Sequence, residues 1–122
     1  MIFMRCKHCG KFVAVYEDGG GVAVCCGEPM TILEANTSDG AGEKHVPDVK
    51  VDGNNVHVQI GSVMHPALPE HHIEWIVIVT NLGEVRHTIP VGDDPASDFV
   101  LSDGEKVVEV YEYCNIHGLW KV

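Results

Sequence analysis

The chain has 122 residues, 45% of them apolar, and carries a net charge of −10 with only eight Lys and Arg residues. This length gives one ordinary domain with room for a small appendage. The acidic balance argues against nucleic acid as a partner, because binding nucleic acid requires a basic face. No apolar run approaches the ~20 residues of a membrane span, and no signal peptide opens the chain. We therefore expect a cytoplasmic protein that does not bind a membrane.

Five cysteines and eight histidines are a large supply of metal ligands for a chain of this length. An odd number of cysteines in a reducing compartment favours metal binding over disulfide formation. Histidine is also the commonest metal ligand in proteins. The composition therefore directs attention to metal sites.

Four cysteines fall in the first 35 residues, as a C-x-x-C pair, Cys6 and Cys9, and an adjacent pair, Cys25 and Cys26. Four thiolates are typical of a tetrahedral zinc or iron site, whereas a disulfide within the adjacent pair would be strained. Adjacent side chains of a regular strand point to opposite faces, so this pair requires an irregular backbone. So short a segment buries little apolar surface, and the metal must supply much of its folding energy. We predict a metal-binding domain over residues 1–35.

Within this domain the pattern predicts a hairpin, with one strand over residues 12–16 and a return strand over residues 22–24. His8, inside the C-x-x-C pair, is interpreted as a solvated loop residue. Residues 36–42 are small, polar and rich in glycine, and are predicted to be a linker. A second domain is expected over residues 43–122.

The second domain contains short predicted strands separated by turn signals, and no amphipathic helical segment. These strands cover residues 49–51, 56–60, 73–80, 84–89, 99–101 and 107–113. Several short strands at this spacing are typical of an all-β sandwich. Trp75 is predicted to lie in the core with Ile73, Val77 and Val79, because these residues alternate along one strand.

Histidines and the fifth cysteine occupy predicted loops and strand ends of this domain. His45 precedes a Val-Pro pair, and His65 and His71 flank two prolines in a stiff loop. Cys114 ends the last predicted strand, and His117 follows at a separation that a tight turn brings within about 7 Å. Taken alone, this last pair is compatible with copper, zinc or no metal. Five ligands exceed the four that zinc prefers and favour a redox ion such as iron, with one position left open.

A thiolate opposite an open position would push electron density onto the metal. Neutral imidazoles leave the ion positively charged, which favours an anionic ligand. Lys44 is the candidate local cation that draws an anion to an acidic protein, and its alternative is a solvated side chain.

Three further histidines, His57, His72 and His87, are interpreted as surface or core residues rather than ligands. For His72, the six-residue spacing from His65 favours its neighbour His71 as the ligand.

Taken together, the motifs resemble the desulfoferrodoxin family, the two-iron form of superoxide reductase. The matching residues occur in the same order along essentially the whole chain: Cys6-x-x-Cys9, Cys25-Cys26, residues 43–47, His65-Pro66, His71 with residues 73–76, and Cys114-Asn115-x-His117-Gly118-Leu119-Trp120. Two segments depart from the family pattern. Residues 67–69 replace the more usual methionine and acidic residues after His-Pro, and Asp48 stands where an apolar residue is more usual.

The resemblance implies a desulforedoxin-like (rubredoxin-like) N-terminal domain and an immunoglobulin-like β-sandwich with the catalytic iron. The implied ligands are Cys6, Cys9, Cys25 and Cys26 for the N-terminal iron, with His45, His65, His71 and His117 equatorial and Cys114 axial for the catalytic iron. Glu43 would bind the open position in the ferric state. Lys44 would attract superoxide and order the water that delivers protons.

The implied reaction is the one-electron reduction of superoxide to hydrogen peroxide at ferrous iron, which removes superoxide without making oxygen. The resemblance further implies a rubredoxin-type electron donor and a cytoplasmic homodimer. Two alternatives are a blue-copper electron carrier and a binding module with structural zinc. The copper site usually has a downstream axial methionine, which is absent here. The colour separates all three, since the iron protein is pink to red with a broad band near the red end, the copper protein is intensely blue and the zinc protein is colourless.

Overall fold

The computed structural model describes all 122 residues, which divide into two compact units, Met1–Glu34 and Ala35–Val122. Regular structure is almost entirely β, with twelve strands and one four-residue helix. The predicted all-β class is therefore confirmed. The helix is far too short to cross a membrane.

The first unit contains two small antiparallel sheets. One has the order β2–β1–β5, and the other pairs β3 with β4. The strands are β1 (Ile2–Arg5), β2 (Phe12–Val15), β3 (Val24–Cys25), β4 (Glu28–Pro29) and β5 (Thr31–Ile32). Phe3 and Met4 of β1 are buried, and the Phe3 ring packs edge-on against Phe12 with centroids 6.2 Å apart.

The predicted pairing of this unit is wrong. Residues 12–15 pair with β1 rather than with residues 22–24, and Val24 pairs with Pro29. Burial explains the difference, because β1 brings two buried apolar side chains to the pairing, whereas Val22 and Val24 remain 73% and 62% exposed. Apolar burial is the dominant favourable term in folding.

The second unit is a sandwich of two antiparallel sheets, with strand orders β10–β7–β6 and β12–β11–β8–β9. The strands are β6 (Pro47–Asp52), β7 (Asn55–Ile60), β8 (Ile73–Thr80), β9 (Glu84–Thr88), β10 (Ala96–Val100), β11 (Val107–Cys114) and β12 (Gly118–Lys121), and the helix α1 is Gly42–His45. All six predicted strands are present, and β8 has the predicted bounds. β12 was not predicted, because its residues were interpreted as part of a metal-binding turn.

The core is one apolar cluster drawn from both sheets. Its members include Val56, Val58 and Ile60 of β7, Phe99 of β10, Ile76 and Ile78 of β8, and Val110 and Cys114 of β11. Ile73 joins this cluster, as predicted. Trp75 and Val77 are buried too, but they alternate with Ile76 and Ile78 and so lie on the other face of β8, where Trp75 stacks on Tyr113 with centroids 5.9 Å apart. Val79 is only partly buried.

The segment over residues 36–42, predicted to be a linker, packs on the C-terminal hairpin of the second unit. The backbone N–H of Asn36 donates to the Leu119 carbonyl at 3.0 Å, and its side chain exchanges hydrogen bonds with the backbone of Lys121. The Ser38 hydroxyl donates to the His117 carbonyl. Polar residues that composition assigns to a flexible linker are thus fixed by hydrogen bonds to β12 and the turn before it.

Candidate metal centres

The four cysteines of the first unit converge, and their sulfur atoms all lie within 4.8 Å of one another. The Cys9 and Cys25 sulfurs are 3.7 Å apart, and those of Cys25 and Cys26 are 4.0 Å apart. A tetrahedral ion with metal–sulfur bonds of about 2.3 Å requires sulfur–sulfur separations of about 3.8 Å. The spacing therefore fits a four-thiolate metal site.

An irregular backbone allows two adjacent cysteines to face one centre. Cys26 has a φ of 52°, and Gly27 follows at 79°. Left-handed conformations of this kind are uncommon for residues with a side chain. The prediction that this pair needs an irregular backbone is confirmed.

The proton affinities of Cys6, Cys25 and Cys26 are shifted in different directions. The backbone N–H of Cys9 donates to the Cys6 sulfur at 3.5 Å, and this bond is the main cause that lowers the pKa of Cys6 to about 6. Hydrogen bonds with the neighbouring sulfurs raise the pKa of Cys25, and raise that of Cys26 to about 12. One thiolate forms readily, but four adjacent thiolates require a cation to offset their repulsion.

A second cluster lies at one end of the sandwich. The ligand atoms of His45, His65, His71 and Cys114 all lie within 4.8 Å of one another. His117 adjoins them, with its Nδ1 atom 3.0 Å from His45 Nε2 and 4.0 Å from Cys114 Sγ. The structure thus brings together all five residues that the sequence suggested for this site.

Separate elements position these five side chains. His45 ends α1, His65 and His71 lie in the loop between β7 and β8, and Cys114 is the last residue of β11. His117 stands in the turn before β12. Loops and strand ends at the edge of a rigid sandwich can be aimed at one point without disturbing the core.

Backbone carbonyls orient two of the imidazole rings. Nδ1–H of His45 donates to the Ala41 carbonyl at 2.8 Å, and Nδ1–H of His65 donates to the Pro66 carbonyl at 2.7 Å. With its proton on Nδ1, each ring keeps its Nε2 lone pair for a metal. The Nε2 atom of His71 is buried and has no hydrogen-bond partner. A bound ion would satisfy this orphaned atom, so the residues fit a metal centre.

The surroundings favour the metal-binding form of the imidazoles. Burial lowers the pKa of His45 and His71, and lowers that of His65 to about 4. Neighbouring imidazoles add to the effect, as does the charge of Lys44 on His45 and His71. Neutral rings therefore prevail near pH 7, as metal ligation requires.

Burial also raises the pKa of the Cys114 thiol, while the backbone N–H of His117 donates to its sulfur at 3.4 Å and acts in the opposite direction. A buried thiolate needs a nearby positive charge. A cation bound by the surrounding imidazoles would supply it.

The family comparisons agree with this geometry. The family model described as desulfoferrodoxin matches residues 37–122, and the model of the desulfoferrodoxin N-terminal domain matches residues 2–33. This chain belongs to the desulfoferrodoxin family. The resemblance inferred from the sequence motifs is confirmed.

Relatives of known name match nearly the whole chain. The desulfoferrodoxin of Nitratidesulfovibrio vulgaris is 46% identical over 96% of this chain and 91% of its own length. The desulfoferrodoxin homolog of Archaeoglobus fulgidus is 44% identical over 96% of this chain and 92% of its own. The crystal structure of the superoxide reductase from Treponema pallidum is 34% identical, covers 98% of both chains and superposes with a TM-score of 0.83. The immunoglobulin-like sandwich with a small N-terminal metal domain is thereby confirmed as the fold of this family member.

Glu43 and Lys44 are exposed on α1, directly before the ligand His45. A short backbone segment, residues 61–63, holds this turn in place. The N–H of Val63 donates to the Glu43 carbonyl at 2.9 Å, and the Ser62 hydroxyl donates to the same oxygen at 3.3 Å. The placement of both charged residues therefore depends on this segment.

Gly61 makes the close approach possible, and sequence reasoning missed it. Its φ is 83°, and a Cβ atom there would lie 2.3 Å from the Val63 carbonyl oxygen and 2.8 Å from that of Glu43. Any larger residue would push the Glu43 turn away. The only sequence signal is a glycine directly after an apolar strand, which indicates a special backbone position but not its partner.

Trp120 and Gly40 lie close to the His45 ring. The Trp120 indole stacks on the His45 ring with centroids 4.9 Å apart, and its Nε1–H donates to the His117 carbonyl at 3.1 Å. A Cβ atom on Gly40 would lie 2.9 Å from both His45 and Trp120 side chains. The segment over residues 36–42 is therefore part of the wall of this centre.

Glu112 is a second residue that sequence reasoning missed. It is fully buried, and neither carboxyl oxygen has a hydrogen-bond partner. Burial raises the pKa of this carboxyl to about 9. The alternation of β11 carries the signal, because it places Glu112 on the face of Val110 and Cys114.

The remaining histidines lie outside both clusters, as the sequence suggested. His57 pairs with Asp98 at 2.6 Å on the surface, and His87 stacks on Phe99 with centroids 4.0 Å apart. Nδ1–H of His72 donates to backbone carbonyls of its own loop. His8 is half exposed and lies 3.0 Å from the Glu28 carboxylate.

Proposed function

We propose that this protein is a superoxide reductase, which reduces superoxide by one electron to hydrogen peroxide and makes no oxygen. The observation that carries the proposal is the convergence of four imidazoles and one buried cysteine sulfur beside the exposed cation of Lys44. Five ligands leave one coordination position of an octahedral ion for an exogenous ligand. The solved superoxide reductase that covers 98% of this chain supports the same activity.

The donor sets suit two mononuclear iron centres. The catalytic iron would be held by His45, His65, His71, His117 and Cys114, and the second iron by Cys6, Cys9, Cys25 and Cys26. When bound, the catalytic iron supplies the single electron that superoxide takes up.

Lys44 and Glu43 are proposed to serve the open side of the catalytic centre. Superoxide is an anion, and a protein with a net charge of −10 repels it at long range. The exposed ammonium of Lys44 offsets this repulsion at the site and orders the water that delivers the two protons of hydrogen peroxide. The Glu43 carboxylate is the proposed ligand of the open position once the iron is oxidised.

The organisation of the protein follows from the same proposal. Residues 1–35 form the desulforedoxin-like four-cysteine iron domain, residues 36–42 are the linker, and residues 43–122 form the superoxide reductase domain with the second iron site. The electron donor is a rubredoxin-type protein, and the enzyme acts as a cytoplasmic homodimer. Side chains of Val22, Val24 and Ile32, which are 59–73% exposed, support burial of the first unit against a second copy.

Metal analysis with absorption spectra before and after superoxide tests the proposal. The expected result is two irons per chain, a red protein, and conversion of the ferrous catalytic site to its ferric form with one hydrogen peroxide per superoxide. Oxygen should not appear as a product. A colourless zinc protein, an intensely blue copper protein, or oxygen release would contradict the proposal.

A further inference from the structure

The net charge of this protein is unevenly distributed between its two units. Residues 1–34 contain three Lys and Arg residues against four Asp and Glu residues, so residues 35–122 carry −9 of the net charge of −10. The three cations of the first unit, Arg5, Lys7 and Lys11, all lie within two residues of a C-x-x-C cysteine. The four acidic residues are spread over the rest of the unit.

The two lysines flank an exposed metal ligand. Cys9 is exposed, as are Lys7 and Lys11 on either side of it, whereas Cys6 is buried. The backbone N–H of Lys11 donates to the Cys9 sulfur at 3.4 Å, which fixes this part of the turn against the sulfur. We call residues 6–11 the basic knuckle. The exposed cysteine of the knuckle, Cys9, is therefore bordered by positive charge.

The surface beside the knuckle is concave. A depression there is lined by Arg5, Lys7, His8, Cys9, Thr31 and Leu33. The His8 imidazole lies 3.0 Å from the Glu28 carboxylate, and the Arg5 guanidinium lies over the Phe12 ring at 5.8 Å. The two lysines thus remain as the exposed cations of this surface.

We propose that the basic knuckle is the docking surface of a small acidic one-electron carrier protein, which reduces the four-cysteine centre there. This inference rests on the proposed function, because superoxide reduction consumes one electron per turnover. The balance is simple: the carrier is oxidised by one electron, and the four-cysteine iron is reduced from ferric to ferrous. No bond forms or breaks, and no proton is transferred.

Charge complementarity decides the place and the kind of partner. An acidic carrier is repelled by the second unit, which carries most of the negative charge, and approaches where lysines are exposed. Electron transfer also requires the donor to come close to the acceptor, and Cys9 provides an exposed sulfur at the same spot. The thiolates of the centre are themselves negative, so an acidic carrier could not approach them without these cations. Two lysines and one arginine are too few for a nucleic acid.

The test measures reduction of the four-cysteine iron in the iron-loaded full-length protein, with superoxide absent. Reduced rubredoxin serves as the acidic carrier, and the loss of the ferric thiolate absorption is followed by stopped flow. The variant Lys7→Glu/Lys11→Glu is compared with Lys50→Glu/Lys106→Glu. The control makes the same change in net charge at two exposed lysines of the second unit.

At low ionic strength, the knuckle variant is expected to lose about tenfold or more in the second-order rate constant, and the control less than about threefold. The difference should shrink to less than about twofold at high salt, because salt screens exposed charges. Equal losses in both variants would overturn the proposal. So would a tenfold loss that persists at high salt, since the lysines would then act on the reduction potential rather than on docking.

Two checks keep the result interpretable. If Lys7→Glu/Lys11→Glu does not bind iron, Lys7→Gln/Lys11→Gln replaces it with the same expected salt dependence, and absence of that dependence overturns the proposal. The proposed function is tested apart from docking, by mixing prereduced wild-type protein with superoxide. Failure of that reaction contradicts the function, whereas the docking measurement contains no superoxide and stands on its own.

Discussion

At the scale of single residues, the catalytic centre depends on groups whose protonation is set by burial. Burial lowers the pKa of His45, His65 and His71 and raises that of Cys114. The imidazoles are thus ready to bind a cation, and the thiol becomes a thiolate only when the cation is present. Binding of iron at this centre therefore releases the Cys114 proton.

Replacing Cys114 by serine should abolish superoxide reduction, because an alcohol cannot donate electron density to iron as a thiolate does. Iron at the four-cysteine centre should stay, since its ligands lie in the other unit. The measurement is superoxide consumption by the prereduced variant, together with its visible spectrum. Unchanged turnover would contradict the role of Cys114.

Replacing Lys44 by alanine should slow the reaction with superoxide by about tenfold at low ionic strength, because the local cation is lost. The dependence of the rate on salt should flatten, and iron content should not change. Pulse radiolysis across a range of ionic strengths measures both quantities. A rate equal to that of the wild type would make Lys44 an ordinary solvated side chain.

At the scale of elements, two segments place the turn of Glu43 and Lys44 and the Cys114 sulfur. Residues 61–63 fix α1 through hydrogen bonds to the Glu43 carbonyl. Strand β11 ends in Cys114 and pairs with β8 and β12 on its two sides. Precise catalytic geometry thus rests on backbone contacts rather than on the charged side chains alone.

The substitution Gly61→Ala should displace Glu43 and Lys44, because a Cβ atom there collides with two backbone carbonyls. We expect a loss of about tenfold in the rate with superoxide and a changed ferric absorption band. Gly104→Ala is the matched control, since Gly104 has a similar φ of 82° but open space around its Cβ position. Both variants place an alanine in the left-handed region of the backbone, which destabilises each by about 1 kcal/mol. Equal rates in the two variants would contradict a positioning role of Gly61.

Glu112 on β11 should make stability depend on pH. Its pKa is raised from the ordinary value of 4.5 to about 9 in the folded chain, so between these values the unfolded state ionises while the folded state stays protonated. Stability is therefore lost as pH rises through this window, by up to about 1.4 kcal/mol per pH unit. Gln cannot ionise, so Glu112→Gln should gain in melting temperature relative to the wild type from pH 5 to pH 8. If the melting temperatures of the variant and the wild type changed with pH in parallel, at equal iron content, a protonated Glu112 would be contradicted.

At the scale of the whole molecule, the two units differ in what holds them together. The second unit has a continuous apolar core, whereas the first has 34 residues and buries few apolar side chains, among them Phe3 and Met4. The first unit therefore depends on its metal for folding. The second unit depends on its own metal mainly for chemistry.

Removal of metal tests this difference. Chelation under reducing conditions should unfold the first unit and leave the β-sandwich folded, because only the latter has enough buried apolar surface. Amide hydrogen exchange of the metal-free protein measures protection in each unit. Strong protection of β1 and β2 without metal would contradict the expectation.

Sequence alone was sufficient to predict the features that depend on residue type and on short spacings, namely the candidate metal ligands and most strands. Thiolates and imidazoles have few uses in such numbers other than metal binding, so the cysteines and histidines that converge in the two clusters could be singled out from the sequence. Six of the seven strands of the sandwich were predictable for a related reason, since runs such as β8 and β11 are rich in β-branched and aromatic residues.

Only the tertiary structure decided features that depend on partners distant in sequence. The pairing of β1 with β2, the attachment of residues 36–42 to β12, and the close approach of Gly61 to Glu43 follow from burial and backbone contacts that local pattern does not encode. The same holds for Glu112, whose unusual protonation results from complete enclosure by neighbours from other strands. Chemistry was therefore determined by residue identity, and its geometry by long-range packing.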